Sequence, residues 1–234
     1  MMVTKLVLIG FLALTVTGCN REVDASVERV RIVIQNKSDS IFWSVDDILM
    51  VHTNLTAITD KDVCRSLIDS WVDSLLRHEM DSLSVERRYD YIMSVLRCVD
   101  LGVSQTVKAA GYGTEYEWNV KLRVLVWLGV WVKRFRDEAI GVTVIDSKSF
   151  NAWRLYEAVA GQWEQFAENM ELDVATEAGL WQNGVRTKIS TAFEKEMGRR
   201  MRAASEIKVR GQYIKATRQR VRAERDEKIQ KAKQ

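Results

Sequence analysis

The sequence predicts an all-α fold, an irregular multi-helix bundle that ends in a long basic helix. Its 234 residues include no proline, so nothing in the chain removes a backbone donor from a helix interior. Apolar residues recur three or four positions apart over long stretches, which is the spacing of one face of a helix. Polar residues that can cap helices stand before several of these stretches. Together these patterns favour helices over strands.

Three capped helices are predicted in the first half of the chain. Ser44 and Thr59 each precede an aspartate by three residues, which places a side-chain acceptor and a carboxylate at the beginning of a helix. Ser84 is a third candidate cap. The predicted helices cover residues 45–55, 60–80 and 85–99. A looser connector that contains several glycines is expected over 102–113.

Longer helices are predicted in the second half. They cover about 114–138, 147–170 and 185 to at least 225, with a linking turn region over 172–184 whose sequence also fits a partly helical conformation. In the last helix Ile207, Ile214 and Val221 recur every seven residues, which indicates packing against one partner helix. Gly211 and Arg218 occupy the companion heptad positions, so an extended coiled coil is not expected.

Two short segments have β-prone sequences. Within residues 27–35, Val30, Ile32 and Ile34 alternate with other side chains as in a strand, although the same run also fits a helix. Residues 141–145 are a second short candidate. The prediction is therefore an all-α bundle with one or two short strands as an alternative at these places.

The N-terminal segment has the layout of a secretory signal. Lys5 precedes a 12-residue apolar run, Leu6–Thr17, and the segment ends in Val16-Thr17-Gly18-Cys19. This run is shorter than the roughly 20 residues that a membrane span needs. A small residue directly before a cysteine resembles the lipobox of bacterial lipoproteins. The resemblance implies cleavage before Cys19, a diacylglyceryl group on its thiol, and a lipid-anchored protein of the bacterial cell envelope that faces the periplasm or the exterior.

The predicted domain organisation follows this cleavage and the distribution of charge. Its four parts are a signal peptide, a tether, an acidic helical domain and a basic helical tail, over 1–18, 19–40, 41–184 and 185–234. Residues 19–184 contain 18 Lys and Arg against 26 Asp and Glu, a net charge of −8, whereas residues 185–234 contain 16 against 6, a net charge of +10.

The basic tail is the predicted functional surface, because clustered cations attract anionic partners. Its candidate binding residues are Arg199, Arg200, Arg202, Lys208, Arg210, Lys215, Arg218, Arg220 and Arg222. In a cell envelope the expected partner is an acidic protein, an anionic lipid or a cell-wall polymer. Nucleic acid is not expected there, and Tyr213 would be almost the only side chain of the tail for base stacking.

The remaining cysteines suggest a disulfide if the chain is exported. Cys64 and Cys98 both lie 17 residues from Asp81, which stands in a predicted turn. If the flanking helices are antiparallel, the two thiols fall at the same height, and a bridge between them is sterically plausible. Two buried free thiols are the alternative.

No catalytic, cofactor or metal motif is found. The two histidines, His52 and His78, have no Cys or His neighbour at zinc-ligand spacing. The stretch Thr176–Gln182 resembles the Gly-Leu-Met-Gln segment of lytic transglycosylases, which implies peptidoglycan cleavage with Glu164 or Glu168 as the acid. The Glu-Ser pair and the Tyr-Asn-Ala-Gly motif of that family are absent from this sequence.

These features lead to one hypothesis and two alternatives. The hypothesis is a membrane-anchored envelope lipoprotein that acts without catalysis, as a scaffold, adaptor or blocking factor, through helical surfaces and its basic C-terminal helix. The first alternative is an envelope enzyme that processes peptidoglycan. The second is a cytoplasmic nucleic-acid binder, which applies if the N-terminal segment is not a signal.

Overall fold

A computed structural model of the chain describes residues 25–37, 42–77, 80, 82–142, 147–182 and 191–234. All regular structure in these ranges is helical, and none of it is strand. The predicted all-α class is therefore confirmed. The proposed signal peptide and Cys19 lie outside the described residues, and their assignment stays a prediction.

The helices in the first half of the chain are shorter than those in the second half. In chain order the helices are α1 (25–37), α2 (Val45–Thr56), α3 (Lys61–Leu76), α4 (Val85–Cys98), α5 (Ser104–Ala109), α6 (Thr114–Ile140), α7 (Ser147–Gln182) and α8 (Thr191–Ala232), with a π-helical turn, Val99–Val103, between α4 and α5. Helices α6, α7 and α8 have 27, 36 and 42 residues, which a chain without proline permits. None of the helices in the described ranges combines the length and the apolar character that crossing a bilayer demands.

The strand hypothesis for residues 27–35 is wrong, because these residues belong to α1. Val30 and Ile34 are both buried, and they lie four residues apart, on one face of a helix. Ile32, which a strand would place on the same face, is exposed. The other β-prone segment, 141–145, lies mostly outside the described residues, and its two described residues are not in a strand.

The predicted cap of α2 is present. The backbone N–H of Asp47 donates to the Ser44 hydroxyl at 3.1 Å, and the backbone N–H of Ser44 donates to the Asp47 carboxylate at 3.0 Å, which is a reciprocal capping box. Helix α3 is capped by Asp60 rather than Thr59, since the Asp60 carboxylate accepts two backbone N–H groups of the first turn. It ends at Leu76, earlier than predicted.

The chain divides into two compact units. The first comprises Met1–Ser82 and Met93–Glu117, and the second comprises Leu83–Ile92 and Trp118–Gln234. Helices α7 and α8, which stand on either side of the predicted boundary at residue 184, both belong to the second unit.

The core of the first unit gathers around Trp71. This side chain is fully buried, and its ring centroid lies 5.6 Å from that of Trp43. The π-helical turn passes directly against it at Gly102, where an added Cβ atom would stand 2.3 Å from Trp71 Cη2 and 2.9 Å from Ile48 Cγ2. The segment predicted as a loose connector is therefore helical over much of its length and tightly packed.

The disulfide predicted between Cys64 and Cys98 is not seen. Both residues are buried free thiols in the first unit. The Cys64 thiol donates instead to the carbonyl oxygen of Leu55 at 3.5 Å. Burial raises the pKa of Cys98 to about 12 and also raises the pKa of Cys64. Each thiol therefore behaves as a small apolar core group in its protonated form.

In the second unit, α6 and α7 run antiparallel. The indole N–H of Trp163 donates to the Leu125 carbonyl at 3.1 Å, and that of Trp153 donates to the Ala139 carbonyl at 2.7 Å. Ala139, which follows Leu125 in α6, thus contacts Trp153, which precedes Trp163 in α7. The two helices therefore run in opposite directions. Two tryptophans with their polar atoms satisfied fasten the two helices together.

Helix α7 is longer than predicted. The linking region expected over 172–184 continues α7 to Gln182, and the described residues do not extend beyond that point until Thr191. Val174 and Ala178 stay buried, so the apolar face of α7 persists through this stretch. Packing of these side chains therefore keeps the stretch helical, although its local sequence is only a weak helix signal.

We expect Gly102→Ala to lower the free energy of unfolding by about 1–3 kcal/mol, because the new methyl group overlaps Trp71 in a filled core. Urea denaturation followed by far-UV circular dichroism measures the change. Gly179→Ala is the matched control: a Cβ at this α7 position meets nothing within 4 Å, so helix propensity raises stability by up to about 1 kcal/mol. Wild-type stability in Gly102→Ala would contradict the packing.

Candidate anion-binding helix

Helix α8 lies antiparallel to α7 and is fastened to it by ion pairs. Arg200, near the beginning of α8, contacts the Glu177 carboxylate at 2.8 Å near the end of α7. Arg218, further along α8, contacts Glu157 at 3.0 Å, nearer the beginning of α7. The Arg200 and Glu177 side chains are only 3% and 10% exposed, so removal of either partner would deprive a buried charge of a close counter-ion.

The second contact is a cluster rather than a single pair. Arg218 bridges two carboxylates of α7, with Nη1 2.7 Å from Glu164 and Nη2 3.0 Å from Glu157. Arg222, one turn later, also donates to Glu157, with Nε 2.9 Å from its carboxylate. Glu157 is thus shared by two guanidinium groups and Arg218 by two carboxylates, and charge-assisted hydrogen bonds of this kind are stronger than neutral ones.

Ionisation of this cluster depends on the balance between burial and pairing. Burial would raise the pKa of Glu157, but hydrogen bonds from Arg222 and Arg218 outweigh it and lower the pKa below its usual value. Burial likewise opposes the charged form of Arg218, yet its bonds to Glu164 and Glu157 raise its pKa. Glu157 and Arg218 are therefore both charged at neutral pH.

Helix α8 also contacts α6, to which it runs parallel. Arg199 donates to the Asn119 side chain at 2.8 Å near the beginning of α6. At the other end Lys228 Nζ donates to the carbonyls of Ile140, at 3.3 Å, and Val142, at 2.7 Å. A cation at the C-terminus of α6 satisfies free carbonyls and opposes the negative end of the helix dipole.

The apolar contact of α8 is the stripe seen in the sequence. Ile207, Ile214 and Val221 are all buried, as the predicted packing against a partner helix requires. The stripe is thin for a helix of 42 residues.

The structure does not bring the nine predicted cations onto one face. Four of them bind side chains of the second unit: Arg199, Arg200, Arg218 and Arg222. Arg220 lies 3.7 Å from Glu224 within α8 itself. Arg210 lines a cavity between helices.

Seven of the nine cations are exposed, and Arg202, Lys208 and Lys215 are three of these. Among the described residues, none of the three has an ion-pair or hydrogen-bond partner. Lys208 and Lys215 are seven residues apart and so share one side of the helix. Arg202 shares another side with Val209 and Tyr213, which are 65% and 60% exposed.

The sequence leaves open that part of the tail folds back on the acidic body, but it identifies neither the carboxylates that pair with the cations nor the exposed apolar residues. Glu157, Glu164 and Glu177 satisfy the cations that turn inward. The seven-residue spacing between Glu157 and Glu164 was the available signal, because it places two carboxylates on one side of α7. Nothing in the sequence alone shows that this side faces α8.

The remaining candidates from the sequence are the two histidines and the glutamates considered as a catalytic acid. Across the described ranges no group of three or more His, Cys, Asp or Glu side chains is placed to hold a metal ion. The His52 Nδ1 atom lies 2.9 Å from the Thr106 hydroxyl, and His78 falls outside the described residues. Glu164 is engaged by Arg218, and Glu168 is exposed.

No protein-family model matches this chain, and comparisons with curated proteins and with solved structures also give no match. A functional proposal therefore rests on the residues and their geometry.

We expect Glu157→Gln to lower the free energy of unfolding at pH 7 by about 2 kcal/mol, because two guanidinium groups lose a charged acceptor. The pKa of Glu157 is lowered in the folded state, so its contribution is present above the carboxyl's ordinary pKa and is lost as the pH falls through the lower folded-state pKa. The difference between variant and wild type should shrink towards pH 3.

Urea denaturation at pH 7 and pH 3 measures both effects. Glu227→Gln removes the same charge from an exposed pair with Lys231 on α8, and it should leave the unfolding midpoint unchanged. Equal effects of the two substitutions would show that the cluster does not fasten α8.

Proposed function

We propose that this protein is a lipid-anchored protein of the bacterial cell envelope that acts without catalysis. Cys19 carries the anchor, and helix α8 presents cations to an anionic partner. The protein serves as a scaffold, adaptor or blocking factor by holding that partner near the membrane.

The observation that carries this proposal is the division of charge on α8. Ion pairs to α7 hold the helix in one position, while Lys208 and Lys215 remain exposed on a shared side. A cationic surface fixed on a folded support loses little conformational freedom when it binds, which favours affinity.

The exposed side chains favour an anionic lipid surface as the partner. Val209 and Tyr213 are solvent-exposed on the same side of α8 as Arg202, and exposed apolar and aromatic groups beside a cation are typical of helices that lie in a membrane interface. Each cation near an anionic bilayer contributes about 1 kcal/mol. A cell-wall polymer would use the cations but not the apolar groups.

We expect the double substitution Lys208→Glu and Lys215→Glu to weaken binding to vesicles that contain 30% phosphatidylglycerol by at least tenfold, because two attractive charges become repulsive. Co-sedimentation at 0.1 M NaCl measures the affinity, and 0.5 M NaCl should reproduce the loss in the wild type by screening.

The matched control is Arg29→Glu with Arg31→Glu, the same charge change at two exposed positions of α1. It should retain most of the binding. Equal loss in both double variants would mean that net charge alone matters. Loss of binding to an acidic protein or to purified cell wall, with vesicle binding unchanged, would move the proposal to that partner.

The anchor has its own test. Expressed in a bacterium that processes lipoproteins, the wild type should lose residues 1–18 and gain the mass of a diacylglyceryl group, because lipidation requires the Cys19 thiol. Cys19→Ala should show no added lipid and should leave the membrane fraction, whereas Cys64→Ala should be processed normally. Intact-mass spectrometry decides, and a wild-type chain that still begins at Met1 without lipid would refute the anchor.

A further inference from the structure

The second unit contains a cavity of about 320 Å³ between α6, α7 and α8. Part of its wall is apolar: Val132, Tyr156 and Ile214 line it, and all three are buried in the protein. A cavity of this size is at the lower end of the range for small-molecule sites, about 300–1,000 Å³. Its apolar wall suits a short hydrocarbon or aromatic body.

Cations line the same cavity. Lys133 and Arg136 come from α6, and Arg210 comes from α8. Only Arg136 has an ion-pair partner among the described residues, the neighbouring Asp137 at 2.6 Å, whose side chain is about half exposed. Lys133 and Arg210 therefore leave the cavity with an excess of positive charge.

Gly129 leaves room for Arg210 close to this wall. A Cβ atom added at Gly129 would stand 2.9 Å from Arg210 Nη2 and 3.3 Å from Trp163 Nε1. The guanidinium thus lies over the bare backbone of α6, beside the cavity, where a larger residue would displace it.

Neutral donors complete the lining. Tyr156 and Thr217 contribute hydroxyl-bearing side chains to the cavity. Burial raises the pKa of Tyr156 to about 12, so its hydroxyl stays protonated at neutral pH and adds no negative charge.

We propose that this cavity binds a small organic anion with an apolar body, of the alkyl carboxylate class. Its carboxylate pairs with Lys133 and Arg210, and its hydrocarbon part lies against Val132 and Ile214. This site is separate from the outward-facing cations Lys208 and Lys215, which do not line the cavity, so the inference does not depend on the proposed function.

Titration calorimetry of the purified protein with octanoate tests the site. We expect a Kd of about 1 mM or tighter. Octanol, which lacks the charge, and acetate, which lacks the apolar body, should each bind roughly tenfold more weakly. An increase in NaCl from 0.05 to 0.5 M should weaken the binding of octanoate and leave the binding of octanol unchanged, because salt screens only the charged ligand.

The residues are tested by Arg210→Met and Lys133→Met, which keep an apolar stem and remove one charge each. Each substitution should lower the affinity for octanoate roughly tenfold and leave the affinity for octanol unchanged. Lys231→Met, an exposed position of α8 outside the cavity, is the control and should bind octanoate as the wild type does. If Arg210→Met fails to fold, Lys133→Met and the salt dependence still test whether the cavity binds the carboxylate. Equal affinity for octanol and octanoate, no octanoate binding at 10 mM, or wild-type affinity in the folded cavity variants would overturn the proposal.

Discussion

The second unit depends on the ion pairs that join α7 and α8. The apolar stripe of α8 repeats every seven residues, so a shift of the helix by two turns would bring similar side chains to the same places. The ion pairs do not repeat in this way. Arg200 meets Glu177, and Arg218 meets Glu157 and Glu164, and a shift would leave buried charges without counter-ions, at a cost of several kcal/mol. Charge therefore selects one alignment of the two helices.

This alignment also decides which cations are available to a partner. Positions that face α7 have their charge neutralised internally, as Arg200 and Arg218 do. Positions on the outer sides of the same helix, such as Lys208 and Lys215, remain exposed. A net charge of +10 over residues 185–234 thus overstates the surface that a partner meets, because a substantial part of it stabilises the fold.

Close helix contacts explain the packing around Trp163. Trp163 is almost fully buried, and Cβ atoms added at Gly129 or Gly211 would lie 3.3 and 3.4 Å from its ring atoms. The two glycines let α6 and α8 approach the indole closely. Arg210, which lies against Gly129, also lines the cavity.

The sequence by itself determined the all-α class, the Ser44 cap of α2 and the inward face of α8 at Ile207, because proline content, capping residues and helical spacing are local properties. Only the tertiary structure decided the rest. Residues 27–35 form a helix, and the two core cysteines stay apart as thiols. The cations of α8 divide between internal and outward roles, and the cavity has no sequence signature. These outcomes depend on which distant side chains meet, and the free energy of such contacts is set by burial and pairing that no local pattern encodes.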